Sequence, residues 1–174
     1  MSMKVIVIDG VSGVGKTTFC DYVKRNKKHP VIIGRSLCES DFKKGWECNF
    51  FGLLAWYAKN GNEIVFVDRS PASYEVYQGK LLNDAFYQTI SLLRYCNGVQ
   101  FFSVHLVTNL AQLKKNKGGS LDDYNGMTSK KAMEKYRKCT IFGTGWDMTV
   151  DAEKYYGNHR SALYGRIMRK VEKL

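Results

Sequence analysis

The chain has 174 residues, enough for one domain with a sizeable core, and its 44% apolar and 25% charged residues exclude disordered, collagen-like and coiled-coil classes. Its net charge of +11 favours a polyanionic ligand, either a nucleotide or a nucleic acid. Five cysteines form no C-x-x-C pair, and no apolar stretch suits a signal peptide or membrane span. We therefore expect a reduced, cytoplasmic protein, in the host cytoplasm if the chain is viral.

The first predicted element is a buried strand, Val5 to Ile8, which runs directly into a glycine-rich loop. Residues 10–17 read G-V-S-G-V-G-K-T and match G-x-x-x-x-G-K-[ST] without a gap. Glycine tolerates positive φ and has no Cβ, so successive N–H groups can surround an oxyanion at the start of a helix. The loop therefore predicts nucleoside triphosphate binding. The alternative, a turn that only packs closely, is disfavoured by the strand before it and the helix after it.

The motif also assigns roles to individual residues. Lys16 is expected to reach the β- and γ-phosphates, and the hydroxyl group of Thr17 is expected to hold Mg²⁺. ATP and Mg²⁺ are thus the expected cofactors. The predicted ATP site consists of Gly10, Val11, Ser12, Gly13, Val14, Gly15, Lys16, Thr17 and Thr18.

After the loop, predicted helices and strands alternate along the chain. We expect helices over 17–27, 46–58, 74–96 and from about 159, strands over 31–34, 64–67, 100–107 and 146–150, and a basic helix-loop-helix over 110–138. This alternation predicts an α/β, three-layer P-loop NTPase fold with helices on both faces of a parallel sheet. The expected sheet has five strands in the order 2-3-1-4-5. Residues 1–174 would form a single P-loop domain with a basic lid at about 112–125.

Two further clusters suit phosphate chemistry. Asp68, at the end of a buried strand, could hold Mg²⁺ directly or through water, and Arg69 could bind a phosphate through paired hydrogen bonds. Three lysines beside Gly118-Gly119 could close over the triphosphate and exclude water. An edge salt bridge and a solvated lysine face are the alternative interpretations. The predicted catalytic groups are Lys16, Asp68, Arg69, Lys114, Lys115 and Lys117.

Four segments, in this order, resemble the thymidylate kinase and deoxynucleoside kinase group of P-loop kinases. Residues 8–18 resemble the group's phosphate loop, including the acidic residue, Asp9, before the first glycine. Residues 67–79, which contain Asp68-Arg69-Ser70 and Tyr77-Gln78-Gly79, are similar to the thymidylate kinase stretch D-R-Y-x-x-S…A-Y-Q-G. Residues 106–123 are similar to the strand, helix and lid of both branches. Residues 149–152 resemble the loop beside which the donor adenine sits.

The chain also departs from this group. Ser12 stands where thymidylate kinases have an aspartate that meets the acceptor sugar, and only Arg35 could replace their Arg-Glu-Pro after the second strand. The F-x-x-x-R helix motif lacks its arginine, and the lid carries lysines in place of arginines. Deoxynucleoside kinases use a glutamate as general base, for which Glu39 is the nearest candidate. A monophosphate acceptor is already ionised and needs no base, which favours nucleotides.

The acceptor base has candidate partners in the predicted helix over 46–58. Aromatic side chains there could stack on a planar ring, and Asn49 could pair with a pyrimidine edge. Because the aromatic spacing is helical, ordinary core packing is the alternative interpretation. The predicted acceptor site comprises Asp9, Arg35, Trp46, Asn49, Phe50, Tyr57, Arg69, Ser70, Tyr77 and Gln78.

The resemblance implies in-line transfer of the ATP γ-phosphoryl group to a deoxynucleoside monophosphate. A deoxynucleoside kinase acting on a 5′-hydroxyl group is one alternative. A polynucleotide 5′-kinase or nucleic-acid-dependent NTPase, which would use the +11 charge, is another, and a non-catalytic binding module is a third. A GTP switch is disfavoured because Thr108-Asn109-Leu110-Ala111 stands where N-K-x-D is required. The expected partner is a small nucleotide or nucleoside; a membrane is excluded, nucleic acid is not favoured, and a homodimer remains open.

Overall fold

A computed structural model describes residues 3–33, 46–69, 71–78, 84–123, 126–139 and 145–174 of the chain. Within these ranges, five strands form one sheet in the order β2-β3-β1-β4-β5, and every pairing is parallel. The predicted α/β class and strand order are confirmed. The strands are β1 (Lys4–Asp9), β2 (Val31–Ile33), β3 (Ile64–Asp68), β4 (Gln100–Val107) and β5 (Met148–Asp151).

Seven α-helices are present in the described ranges. They are α1 (Lys16–Tyr22), α2 (Trp46–Lys59), α3 (Pro71–Gln78), α4 (Asp84–Asn97), α5 (Leu110–Asn116), α6 (Ser129–Lys138) and α7 (Arg160–Val171). A π-helical turn, Val23–Lys27, continues α1, and two 3₁₀ turns, Ala152–Tyr155 and Gly157–His159, connect β5 to α7. In the part of the chain that the structure describes, no helix is long and apolar enough to cross a bilayer.

The helix predicted over 74–96 is two helices in the structure. Helix α3 ends at Gln78 and α4 begins at Asp84, and residues 79–83 lie outside the described ranges. Gly79 and Asn83 belong to residue types that favour helix ends. The prediction of one helix gave more weight to the helical spacing of apolar residues than to these two residues. The two 3₁₀ turns after β5 were not predicted either.

The central strands are buried along most of their length because both faces of the sheet are covered. Val5, Ile6, Val7 and Ile8 of β1 have no exposed surface, and β3 and β4 are almost as deeply buried. Such continuous apolar runs are typical of parallel strands between two helical layers.

One face of the sheet is covered by α1 and α7. The ring of Phe66 in β3 lies 6.4 Å from that of Phe19 in α1 and 6.2 Å from that of Tyr164 in α7. The sheet register pairs Ile6 with Phe66 and Ile8 with Asp68, so these side chains share that face. The carboxylate of Asp68 therefore projects toward α1.

The opposite face is covered by α3 and α6. Asp9 follows Ile8, so its side chain points to this second face, and its register partner is His105 of β4. Ser73 of α3 and Tyr136 of α6 both hydrogen-bond to Asp9. Helix α1 therefore packs on the sheet face that carries Asp68, and α3 and α6 pack on the opposite face, which carries Asp9.

Candidate active site

The phosphate loop joins β1 to α1 and depends on its first glycine. Gly10 has a φ of 145°, and a Cβ at this position would lie 2.3 Å from the main-chain oxygen of Leu106. Any side chain would therefore collide with the backbone of β4. Gly13 and Gly15 also have positive φ, of 81° and 98°, which turns successive amides around the loop.

The side chain of Lys16 is folded over the loop that precedes it. Only 4% of the residue is exposed, and its Nζ donates hydrogen bonds to the main-chain oxygens of Gly10 (2.6 Å) and Val11 (2.8 Å). Burial, together with the nearby charge of Arg69, lowers the pKa of Lys16 to about 8. The structure thus places an ammonium group of reduced basicity at the centre of the loop.

Thr17 and Asp68 come together at the edge of the sheet. The hydroxyl group of Thr17 donates a 2.8 Å hydrogen bond to Oδ2 of Asp68, whose Oδ1 is buried without a hydrogen-bond partner among the described residues. Burial raises the pKa of Asp68, and the Thr17 hydrogen bond and the charge of Lys16 oppose that rise.

This pair fits a magnesium ion. Mg²⁺ prefers oxygen ligands and is usually held by one or two carboxylates together with substrate phosphates. The buried Oδ1 of Asp68 has a lone pair to offer, and the Thr17 hydroxyl lies beside it. Among the described residues, no three His, Cys, Asp or Glu side chains are grouped so that they could hold a metal ion by themselves.

Arg69 follows Asp68 in an unusual backbone conformation. Its φ is 82°, a left-handed value that it shares only with Lys28 among the described non-glycine residues. Its N–H donates a 2.9 Å hydrogen bond to the main-chain oxygen of Ile8, which continues the sheet ladder by one residue. Such strain costs roughly 1–3 kcal/mol and tends to occur at functional sites.

A cavity of about 470 Å³ opens beside the loop, a size typical of small-ligand sites. Its walls carry the cations Lys16, Arg69 and Arg160, and no carboxylate of a described residue lines it. The lining residues are Ser12, Gly13, Val14, Gly15, Lys16, Thr17, Thr18, Phe19, Arg69, Leu106, Asn116, Ala152, Tyr155, Tyr156, Arg160 and Leu163. Seven of the nine predicted ATP-site residues thus line one cavity, and Gly10 and Val11 do not.

Sequence reasoning missed the far wall of this cavity. Tyr155, Tyr156 and Arg160 reach it from the 3₁₀ turn and from α7, just beyond the segment compared with an adenine-binding loop. Asn116 was overlooked within a run of lysines. Its Nδ2 donates to the main-chain oxygen of Gly13 (2.9 Å) and to the hydroxyl group of Tyr156 (3.0 Å), so it joins the loop to the far wall.

The three lysines of the predicted lid are not among the residues that line the cavity. Lys117 is half-buried: its Nζ donates to the main-chain oxygen of Asp122 and to Ser129 Oγ (3.2 Å) and lies 4.0 Å from Asp123 Oδ2. Lys114 and Lys115 are exposed. The ammonium group of Lys117 therefore contacts its own segment of the chain, while the aliphatic part of its side chain packs against the phosphate loop, where a Cβ at Gly13 would lie 2.7 Å from Lys117 Cγ.

The carboxylate of Asp9, a predicted acceptor-site residue, is wholly buried. Its Oδ1 accepts hydrogen bonds from the N–H of Gly10 (2.7 Å) and from the hydroxyl groups of Ser73 (2.9 Å) and Tyr136 (3.0 Å). The side chain therefore supports the loop from behind, on the sheet face away from the cavity.

Among the predicted acceptor residues other than Asp9 and Arg69, those with described side chains pack in or against the hydrophobic core. Phe50 belongs to the core, Tyr57 is half-buried against it, and the buried ring of Tyr77 lies 6.0 Å from that of Tyr136. These placements agree with the core-packing interpretation of the aromatic residues in α2. Arg35, Ser70 and Glu39 lie outside the described residues, as do the side chains of Trp46, Asn49 and Gln78.

No protein-family model and no curated protein matches this chain. Solved structures of similar fold do match over nearly its whole length. The YorR protein of Bacillus subtilis, in complex with phosphorylated GDP, is 20% identical with a TM-score of 0.62 over 97% of this chain and 95% of its own. A gluconokinase from Sinorhizobium meliloti 1021 is 19% identical with a TM-score of 0.54, over 98% and 94%.

A deoxyadenosine kinase from M. mycoides, with the products dCMP and dCDP bound, is also similar. It is 15% identical with a TM-score of 0.50, over 98% of this chain and 100% of its own. These likenesses show that the chain shares its fold with nucleotide-binding and sugar-phosphorylating proteins of comparable length.

Proposed function

We propose that this chain is an ATP-dependent kinase that transfers the γ-phosphoryl group of ATP to a small acceptor. The observation that carries the proposal is the Thr17–Asp68 pair, a hydroxyl and a buried carboxylate 2.8 Å apart beside a phosphate loop. The similar structures support it, because a gluconokinase and a deoxyadenosine kinase have this fold and YorR holds a phosphorylated nucleotide in it.

The phosphate loop and the residues beside it then have the following roles. The loop amides and the ammonium group of Lys16 would hold the β- and γ-phosphates, and Thr17 and Asp68 would hold Mg²⁺. When bound, the ion would neutralise charge on the transferring group. Transfer by in-line displacement needs little covalent chemistry from the protein, so positioning and positive charge account for most of the rate.

The acceptor we propose is a deoxynucleoside monophosphate. Arg69 lines the cavity directly after Asp68, and its guanidinium group suits two parallel hydrogen bonds to a phosphate. A hydroxyl acceptor would require a general base, and none of the described residues that line the cavity is a carboxylate or a histidine. A monophosphate is already ionised and needs no such base.

We propose further that residues at about 112–125 act as the lid.

The direct test is a panel of acceptors incubated with Mg·ATP: thymidine, deoxycytidine, the four deoxynucleoside monophosphates and an oligonucleotide with a free 5′-hydroxyl group. We expect diphosphate products from monophosphates alone. ATP binding measured by calorimetry, with no product from any acceptor, would overturn the proposal in favour of a binding module.

A second candidate acceptor is a hydroxyl group, because the fold is shared with a deoxyadenosine kinase and a gluconokinase. It would need a base from residues that the structure does not describe, such as Glu39. In the same panel, this candidate predicts monophosphate product from a nucleoside and none from the deoxynucleoside monophosphates.

A further inference from the structure

Two hydroxyl groups converge behind the phosphate loop, on the sheet face opposite the cavity. Ser73 Oγ lies 2.9 Å and 3.0 Å from the two carboxylate oxygens of Asp9, and the hydroxyl group of Tyr136 lies 3.0 Å from Oδ1. The two hydroxyl oxygens are 2.8 Å apart. All three side chains are buried, with at most 3% of any residue exposed.

This cluster connects directly to the loop. Oδ1 of Asp9 also accepts the N–H of Gly10 at 2.7 Å, and the carbonyl oxygen of Gly10 accepts Lys16 Nζ at 2.6 Å. Gly10 is thus held on both sides, by a carboxylate behind the loop and by the ammonium group in front of it. Whatever orients the Asp9 carboxylate orients the first amide of the loop.

The hydroxyl group of Tyr136 has little freedom to move. Its ring stacks on His105 with centroids 5.7 Å apart, and its main-chain oxygen accepts the indole N–H of Trp146 at 3.0 Å. Burial lowers the pKa of His105 to about 4, so this stacking partner is neutral at physiological pH. The Tyr136 ring is therefore held in place by an uncharged imidazole and by the hydrogen bond from Trp146.

The same helix is tied to α3, on which Ser73 lies. Lys135 Nζ donates a 2.9 Å hydrogen bond to the main-chain oxygen of Val76, a carbonyl in the last turn of α3. Helices α3 and α6 therefore present their two hydroxyl groups to Asp9 as one unit. Helix α6 also follows the lid segment directly in the chain.

We propose that Ser73 and Tyr136 are positioning residues, whose two hydroxyl groups hold the Asp9 carboxylate and thereby fix Gly10 and Lys16 for phosphoryl transfer. This role rests on the proposed kinase function, although the hydrogen-bonded path itself does not depend on it. The two hydroxyl protons are shared among four contacts of hydrogen-bond length, so either group can still donate to Asp9 when the other is removed. Loss of both removes the two hydroxyl donors that orient the Asp9 carboxylate from α3 and α6.

The test is a double-mutant cycle of Ser73→Ala and Tyr136→Phe, with Tyr164→Phe as a matched control. Tyr164 also loses a 2.8 Å hydroxyl contact, to His29, but lies outside the path to the loop. We expect each single variant to lower kcat by no more than about threefold and the double variant to lower it by more than about tenfold. KM for ATP should change by less than about threefold, since the loop amides still bind phosphate.

Hydrogen exchange at the Gly10 amide, measured without any ligand, supplies the readout that is independent of catalysis. Exchange should be about threefold faster in each single variant, more than about tenfold faster in the double variant, and unchanged in Tyr164→Phe. If the double variant fails to fold, the two single variants still test whether Ser73 and Tyr136 act on Gly10 through Asp9. Gly10 exchange at the wild-type rate in both single variants would then overturn the proposal.

The two proposals can fail separately. A wild-type protein that phosphorylates no acceptor refutes the kinase function, while the exchange measurement still decides the role of the two hydroxyl groups. Conversely, an active wild type together with a double variant of wild-type kcat and wild-type Gly10 exchange refutes the positioning role alone.

Discussion

Thr17 and Asp68, separated by 51 positions in the chain, are joined by a 2.8 Å hydrogen bond at the carboxyl edge of the sheet. The pairing of Ile8 with Asp68 in the parallel ladder brings the third strand beside the phosphate loop. A hydroxyl group and a buried carboxylate are thereby held together beside the loop, where in the proposed function they would bind Mg²⁺.

The first prediction concerns this pair. Thr17→Val removes the hydroxyl group and keeps the shape of the side chain, so we expect the Mg²⁺ concentration for half-maximal activity to rise about 10- to 100-fold. The measurement is a magnesium titration of phosphoryl transfer at saturating ATP. Chelation of Mg²⁺ should abolish transfer by the unmutated protein.

Thr17→Ser retains the hydroxyl group and is the control, with an expected change of less than about threefold. Equal magnesium requirements in the valine and serine variants would show that the hydroxyl group has no part in metal binding.

The second prediction concerns pH. The pKa of Lys16 is lowered to about 8, and the ammonium form is the one that attracts a polyphosphate. Between about pH 8 and about pH 9.5, the affinity for Mg·ATP should therefore fall by about tenfold as Lys16 loses its proton. Calorimetric titrations across this range provide the measurement.

Lys16→Met supplies the control, because its weaker ATP binding should be nearly independent of pH in the same range. The stability of the ligand-free protein should change in the opposite sense. Above about pH 8 the unfolded chain binds more protons at Lys16 than the folded protein does, so this residue adds stability as pH rises toward 10.5. A wild-type affinity as flat as that of Lys16→Met would contradict the assignment.

The third prediction uses the left-handed backbone of Arg69. Both Arg69→Ala and Arg69→Gly remove the guanidinium group, and we expect both to lower kcat/KM for the acceptor by at least about 100-fold. Only glycine also relieves the strain at a φ of 82°. The glycine variant should therefore be more stable than the alanine variant by about 1 kcal/mol in urea unfolding.

Because the two variants lose the same side-chain contacts, their difference isolates the backbone. An alanine variant as stable as the glycine variant would mean that the conformation carries no strain.

The fourth prediction compares two glycines. At Gly10, a Cβ would lie 2.3 Å from the Leu106 main-chain oxygen, so Gly10→Ala should destabilise the fold by at least about 2 kcal/mol. Gly52 lies within α2, and a Cβ at this position would meet no described atom within 4 Å, so Gly52→Ala should stabilise the protein by about 0.5–1 kcal/mol.

Urea unfolding of both variants measures the contrast. Similar effects at the two positions would show that the close approach of β4 to the loop does not constrain Gly10.

The parts of the fold that were predictable are those encoded locally. The run Val5 to Ile8 and the adjoining glycine pattern identify a strand, a phosphate loop and a helix, because each depends on neighbouring residues. The strand order followed from the P-loop assignment and is observed in full.

Contacts between distant segments could not be predicted in the same way. Asn116 reaches Gly13 across 103 positions, and Tyr136 reaches Asp9 across 127, so neither contact leaves a local pattern. The positive charge of Lys117 suits a phosphate ligand, yet in the structure its ammonium group lies beside the carboxylate of Asp123. Charge alone did not distinguish a cation that faces a ligand from one that braces a loop.

The register of β1 against β3 also limits how such a site can change. Side chains alternate between the faces of a strand, so a slip of one residue would carry Asp68 to the Asp9 side of the sheet, away from Thr17. The pairing of β1 with β3 therefore fixes the positions of Thr17 and Asp68 relative to each other, whereas the length of the proposed lid and the outer surfaces of the helices are not constrained by it. A designer could exchange those outer parts to accept new substrates while leaving the four central β1 residues and their partners untouched.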